Sequence, residues 1–201
     1  MAKAKIIDDV TLDRLLDDVA RDSKDPQRDL VIVLLSFKAA LRAQEIAGIT
    51  WRDVTDASGN LAAEITVPAA VAKKGHERTV PMHPLLREAL ELLHEVRTTL
   101  HARGLGPAPR GKSPVVLSAR GWEAMSPNNL AQFLGRLYRR HGLDASSHSG
   151  RRSVITKLAR TANDHGCSLF DVMKVAGHKD IETTEAYVVH SDKVHDLIRS
   201  L

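Results

Sequence analysis

Ser147-His148-Ser149-Gly150-Arg151, then Ala176-Gly177-His178, then Tyr187 nine residues past that histidine, is the run on which the reading of this chain turns. Two histidines, an arginine and a tyrosine at these intervals make a poor apolar core and a good shell for one phosphodiester. Arg42, in Leu41-Arg42-Ala43-Gln44-Glu45, supplies a second guanidinium. Tyr138 and Tyr187 are the only tyrosines, so a nucleophile is easily singled out.

Composition sets the frame for that shell. The 201 residues suit one domain, or one domain with appendages, and can bury a real core. Apolar residues make up 43% and charged residues 27%, which is ordinary for a globular protein. A net charge of +4 and a pI near 9.3 permit nucleic-acid binding without requiring it. Cys167 is the single cysteine, which excludes an internal disulfide framework and a cysteine zinc cluster. Met1 to Lys5 is charged and has no signal-type apolar stretch, and the apolar-rich run from Leu30 through Phe37 is too short to span a bilayer. A soluble protein of a reducing cytoplasm, with no membrane partner, is expected. Seven aromatic residues scattered singly disfavour the stacking platforms of single-strand and RNA binders. His148 and His178 lack a third ligand at zinc-like spacing, so no metal is expected.

Periodicity gives a mainly helical chain. Leu12, Leu15, Leu16 and Val19 share a face of a helix over Thr11–Arg21, with Thr11 as its N-cap. Asp25-Pro26 starts a second helix, carrying Leu30 to Leu41, and Ala43 to Ile49 forms a short third. Ala62 to Val67 and Arg78 to Pro81 have strand character, with Lys73-Lys74-Gly75-His76-Glu77 at a tight turn between them. Helix returns over Pro84–Ala102, Pro127–His141, Ser149–Ala162, Leu169–Val175 and Thr183–Val189. Gly104 to Pro114 reads as loop and Val115 to Leu117 as a short strand. The fold class is α+β, mainly helical, with a two- or three-stranded antiparallel sheet at one edge.

Cleaving a phosphodiester without a metal needs cations on the non-bridging oxygens, a nucleophile, a proton acceptor and a proton donor. Guanidinium groups are planar, always charged and able to bond two oxygens at once. Arg42 and Arg151 suit that task, with His178 as a third donor. Tyr187 attacks as a phenolate, helped by nearby cations or a base. His148 is a proton acceptor near neutral pH. Lys73 or Lys74, at the hairpin tip, suits protonation of the leaving 5′-oxygen. Each piece alone has a plainer reading: Arg42 as a surface partner of Glu45, the lysines as a solvated tip, Tyr187 as a core aromatic.

Taken together and in order, these residues resemble the catalytic domain of the tyrosine site-specific recombinases, the phage-integrase family. The first box of that family, Gly-Leu-Arg with a glutamate three residues on, corresponds to Ala40-Leu41-Arg42-Ala43-Gln44-Glu45, and Trp51-Arg52-Asp53 follows. The hairpin pattern Lys-x-Gly-x-x-Arg-x-x-Pro matches Lys73 to Pro81 and selects Lys73 over Lys74. His148 to Arg151 is the His-x-x-Arg box, and Gly177-His178 is followed at the family's interval by Tyr187, with Thr183-Thr184 between. The resemblance implies a 3′-phosphotyrosyl intermediate on Tyr187, with Arg42, Arg151 and His178 on the scissile phosphate. It implies Lys73 as general acid, His148 as assisting base and Glu45 as a brace, with no metal and no cofactor. Lys74, Arg78, Arg136, Arg139, Arg140 and Arg152 are candidates for DNA-backbone contacts. The implied partners are double-stranded DNA, a homo-tetramer on synapsed DNA formed from a chain that is monomeric in isolation, and an accessory DNA-bending protein.

Two positions depart from the pattern. Arg152 stands where many members have a second histidine, and Gly150 replaces a common leucine, which is expected to loosen the helix start. The catalytic pattern begins within about the first 25 residues. Residues 1–201 are therefore expected to form a single catalytic domain, with 1–24 as a lead-in helix and the N-terminal core-binding domain absent. Residues 191–201, with Val194, Leu197 and Ile198, are expected to act as a tail exchanged with a neighbour. The rival readings are a type IB topoisomerase and a DNA-binding regulator that keeps the fold without turnover.

Overall fold

The computed structural model describes residues 4–72, 75–118 and 122–188. The first helix, α1, runs Asp9–Asp22, and its N-cap is Asp8 rather than Thr11: the Asp8 carboxylate accepts from the Thr11 amide at 2.8 Å. A charged acceptor at a helix N-terminus outcompetes the hydroxyl three residues later. The second helix, α2, spans Pro26–Phe37 with Asp25 as N-cap and proline in its first turn. It stops four residues short of Leu41, because Ala40 takes a left-handed conformation with φ +52°. That turn sends Leu41-Arg42 into the start of α3, Ala43–Gly48.

α2 is the hub. Val31, Ile32, Val33 and Leu35 have no exposed surface, so this helix is buried on every side. Burial of each such side chain is worth roughly 1.5–3 kcal/mol. It packs against α1, α3, the long helix α4 (Pro84–Ala102) and α6 (Ser149–Thr161). Arg97 of α4 reaches Asp25 at 3.3 Å, tying the two helices at the α2 N-terminus.

The sheet has two strands, β1 (Glu64–Val67) and β2 (Arg78–Pro81), paired antiparallel with Val67 opposite Arg78. Ile65, Val67 and Val80 face the core while their neighbours are more exposed, the alternation of a half-buried sheet. The connection from Pro68 to Glu77 is longer than the expected tight turn; the amides of Val71 and Ala72 fold back onto the Pro68 carbonyl. Val115 to Leu117 is buried but forms no strand. Isolated bridges flank it, Thr50 with Pro114 and Leu117 with Ala124.

The C-terminal half is helical: α5 (Pro127–Arg140), α6, α7 (Leu169–Ala176) and α8 (Ile181–Glu185). The last of these ends earlier than the expected Thr183–Val189 helix, leaving Tyr187 in a turn whose amide bonds the Thr184 carbonyl at 3.0 Å. Among the described residues no helix is long and apolar enough to cross a membrane.

Gly150 does not loosen α6. It is buried, and a Cβ there would meet Ser36 Oγ and come within 2.8 Å of the Phe37 ring. The glycine lets α6 press directly onto α2. Gly150→Ala is expected to lower stability by about 1–3 kcal/mol through overpacking, although alanine is the better helix former by about 1 kcal/mol. Gly150→Leu should cost more, and urea denaturation midpoints of the two variants check the order.

Candidate active site

Glu45 organises the site. It has no exposed surface, and four donors meet its carboxylate: the Arg42 amide at 2.8 Å, Arg42 Nη1 at 3.1 Å, and Arg78 Nη1 and Nη2 at 2.8 and 2.9 Å. The Arg42 amide bond is the reciprocal cap of α3, so the residue that starts the helix is held by the residue one turn in. Arg42 keeps part of its side chain in solvent, while Arg78 is almost wholly enclosed. Arg78, expected among the DNA-backbone contacts, faces inward instead. Its Nε donates to the Val175 carbonyl at 3.1 Å, and its stem passes Gly177, where a Cβ would lie 2.8 Å from Arg78 Cδ.

Arg151 enters from α6 and is 4% exposed. Its two terminal nitrogens donate to the carbonyls of Ala40 and Ala176. The first of these acceptors is the left-handed residue that ends α2, so the backbone turn and the arginine fix each other. Burial, and then the neighbouring Arg42, push the Arg151 guanidinium down to about 9. Among the described residues Arg42, Arg78 and Arg151 thus lie near one carboxylate, that of Glu45, and positive charge is in excess.

His178 follows the left-handed Gly177 that caps α7, and its Nδ1 lies 2.9 Å from Thr184 Oγ1. Its ring stacks on Tyr187, centroids 5.6 Å apart and planes 26° from parallel. Tyr187 is half-buried and packs on a small cluster of Ala40, Ile155, Ala162, Val172 and Ala176. His148 is exposed at the N-cap of α6, one turn before Arg151, so the two share a helix face. Arg152 places its guanidinium carbon 5.6 Å from the Tyr187 ring centre. Arg136, Arg139 and Arg140 are exposed on α5, and the first two line a groove that includes Ser146 and Ser147, next to His148. Lys73, Lys74 and the 191–201 tail lie outside the described residues.

Sequence reasoning missed three supports: Thr184 as the holder of the His178 ring, Arg78 as part of the brace, and the Ala40 and Ala176 carbonyls under Arg151. Thr184 had a signal in its place between His178 and Tyr187; backbone carbonyls leave none. Among the described residues one group of metal-capable side chains gathers, Asp18, Asp22 and His141, and it shares no residue with this cradle.

The brace has a pH signature. Burial pushes the Glu45 carboxyl up, but the bonds and charge of Arg78, then Arg42, outweigh it and hold the carboxyl below the usual range. A lowered carboxyl contributes stability that is present above its unfolded-state value and lost as pH falls through the folded one. Arg78→Met is expected to cost about 3–5 kcal/mol at neutral pH, since it strips a buried carboxylate of two of its four donors. The gap from wild type should narrow at an acid pH below the ordinary glutamate range, as Glu45 protonates. Urea denaturation at the two pH values measures both effects.

The family model described as "Phage integrase family" matches residues 5–194. Tyrosine recombinase XerA of Pyrococcus furiosus is 28% identical over 165 residues, covering 82% of this chain and 51% of that protein. Tyrosine recombinase XerD of Shewanella oneidensis is 26% identical over 178 residues, covering 88% and 54%. The chain thus spans about half the length of the curated relatives it matches. Among solved structures, the Tn1549 transposon integrase in complex with a circular intermediate DNA superposes with a TM-score of 0.76 at 17% identity, over 100% of this chain and 67% of that one. The XerA recombinase crystal structure gives 0.72 at 17%, over 100% and 65%. These last two likenesses speak for the fold alone: a mainly helical domain with a small antiparallel sheet, as found here. With every box from Arg42 to Tyr187 inside the matched segment, the chain belongs to the phage integrase family, as a tyrosine recombinase catalytic domain.

Proposed function

We propose that this chain cuts and rejoins duplex DNA at specific sites through a 3′-phosphotyrosyl link to Tyr187. The observation that carries the reading is the excess of positive charge at Arg42 and Arg151, with the stacked His178–Tyr187 pair near Arg151. A scissile phosphate supplies the missing negative charge. Its transition state places more charge on the non-bridging oxygens, where fixed donors stabilise it most.

In the proposed reaction His148 takes the phenolic proton, and the Tyr187 oxygen attacks phosphorus. The bond to the 5′-oxygen breaks, and that oxygen leaves with a proton from Lys73. The phosphodiester energy is kept in the protein–DNA link, so a 5′-hydroxyl from the same or another duplex reverses the step with no nucleotide cofactor and no metal. Exposed Arg136 and Arg139 line the groove that ends at Ser146 and Ser147, next to His148 in sequence, and with exposed Arg140 they suit contact with the flanking backbone. The Tn1549 transposon integrase is solved in complex with circular intermediate DNA and with transposon right end DNA, which supports DNA as the partner. Strand exchange would use four protomers on two duplexes, with the 191–201 tail seated on a neighbour and an accessory DNA-bending protein assisting.

A pool of nicked duplex oligonucleotides with a randomised site tests the chemistry, because cleavage next to the nick releases a short strand and traps the adduct. Wild type is expected to form an adduct stable in detergent, and Tyr187→Phe to form none while still binding duplex. Arg42→Ala should slow adduct formation by about 10²–10³-fold, the usual loss for one preorganised donor. No adduct with any member of the pool would leave a non-catalytic DNA-binding protein as the reading. On the recovered site, relaxation of a supercoiled plasmid without exchange would favour the topoisomerase alternative. Deleting residues 191–201 is expected to abolish exchange between two sites while leaving adduct formation within a few-fold of wild type, as gel assays of synapsis and cleavage will show.

A further inference from the structure

Arg151 and Arg152 are neighbours on α6, and successive helical positions point about 100° apart. The two guanidinium groups therefore serve different places. Arg151 is spent on the carbonyls of Ala40 and Ala176. Arg152 has its guanidinium carbon 5.6 Å from the Tyr187 ring centre, within the range where a cation is drawn to an aromatic face. Its Nε is buried and has no hydrogen-bond partner among the described residues. A buried donor left unmatched is unfavourable. Nε gives this half-buried side chain no hydrogen bond among the described residues, and its guanidinium lies over the Tyr187 ring.

Tyr187 needs such a contact. It lies in the turn after a five-residue helix, too short to fix a side chain by itself. Its second ring neighbour is His178, stacked 5.6 Å away and tied through Nδ1 to Thr184 Oγ1. The Tyr187 amide bonds the carbonyl of that same threonine. Histidine, threonine and tyrosine thus form one unit at the C-terminal end of the described chain, and Arg152 reaches that unit from a different helix.

We propose that Arg152 is a positioning residue for the nucleophile: its guanidinium seats the Tyr187 ring against His178, inside the cradle of its own chain, before DNA arrives. The inference rests on the reading of Tyr187 as the nucleophile. It gives a specific role to the position where many relatives carry a histidine. A long flexible arginine reaches the ring face and lays a planar guanidinium on it, whereas a histidine is shorter. Productive attack requires the phenolic oxygen close to phosphorus and in line, and a ring that samples other rotamers spends less time there.

The two-tyrosine composition makes the test direct. In the full chain labelled with ¹³C on the tyrosine rings, Tyr187→Phe identifies the Tyr187 signals, and fully buried Tyr138 serves as the internal control. Wild type is expected to show nuclear Overhauser contacts from the Tyr187 ring to His178 and to the Arg152 methylenes. Arg152→Met should weaken the His178 contact and move the Tyr187 signals toward free-tyrosine values, with the Tyr138 signals unchanged, and Arg152→Lys should restore much of the contact. With saturating nicked duplex from the randomised pool, Arg152→Met should slow single-turnover adduct formation about tenfold, and Arg152→Lys should recover to within about threefold of wild type. Unchanged ring contacts in Arg152→Met overturn the proposal. So does a rate that returns to wild type once duplex is saturating, which would make Arg152 a backbone contact. A wild-type chain that forms no adduct sinks the nucleophile reading instead, and the seat then stands or falls on the ring contacts alone.

Discussion

Glu45 is a carboxylate with no access to water, placed between the guanidinium groups of Arg42 and Arg78. A buried charge of this kind is tolerated only when its lone pairs are occupied, and four N–H groups occupy them here. Three separate parts of the chain meet at this one group. The Arg42 amide bond starts α3, the Arg78 bonds anchor β2, and the Nε of the same arginine holds the last turn of α7 through Val175. The strand β2, the start of α3 at Arg42 and the segment leading to His178 are therefore set relative to one another by a single ion cluster.

The same cluster explains why the cradle suits an anion. Arg42, Arg78 and Arg151 lie around one carboxylate, and the backbone carbonyls under Arg151 supply only partial charge. Burial without a matching anion weakens the hold of Arg151 on its proton, which is the direction found. On the proposed reading, a phosphate entering beside Arg42 and Arg151 would repair that imbalance, and the repair would grow as the transition state gathers charge. Preorganisation of this sort is built in during folding, so little reorganisation remains for the chemical step.

Most of the fold was legible in the sequence because its signals are local. Pro26 and Pro127 at helix starts, leucine spacing along α4 and the alternation of Ile65 and Val67 each point to one element type. What escaped was set by contacts between elements. The α2 helix ends at Phe37 because Ala40 turns left-handed with its carbonyl on Arg151, 111 residues away. Thr11 looked like a cap until Asp8 supplied a charged one. At the site, residue types and order singled out Arg42, Arg151, His178 and Tyr187 as candidates, and the structure brings them to one region. The misplacement of Arg78 has the same origin: a basic residue beside a hairpin tip reads as a solvent-facing contact, and only the fold shows that a buried carboxylate awaits it.

The two departures from the family pattern in the second box, Gly150 and Arg152, act on one helix and bear on each other. Gly150 lets α6 approach α2 until Ser36 and Phe37 touch its backbone. That approach fixes the height of α6 over the Ala40 turn, and so places Arg151 on the Ala40 carbonyl. One residue further on, the same placement carries Arg152 over the Tyr187 ring. A leucine at position 150 would hold α6 away from α2 by roughly the width of a side chain, and both arginines would move with it. The small residue and the large one in this box are thus coupled: close packing sets the depth at which α6 sits, and the long arginine spans the remaining gap to the tyrosine.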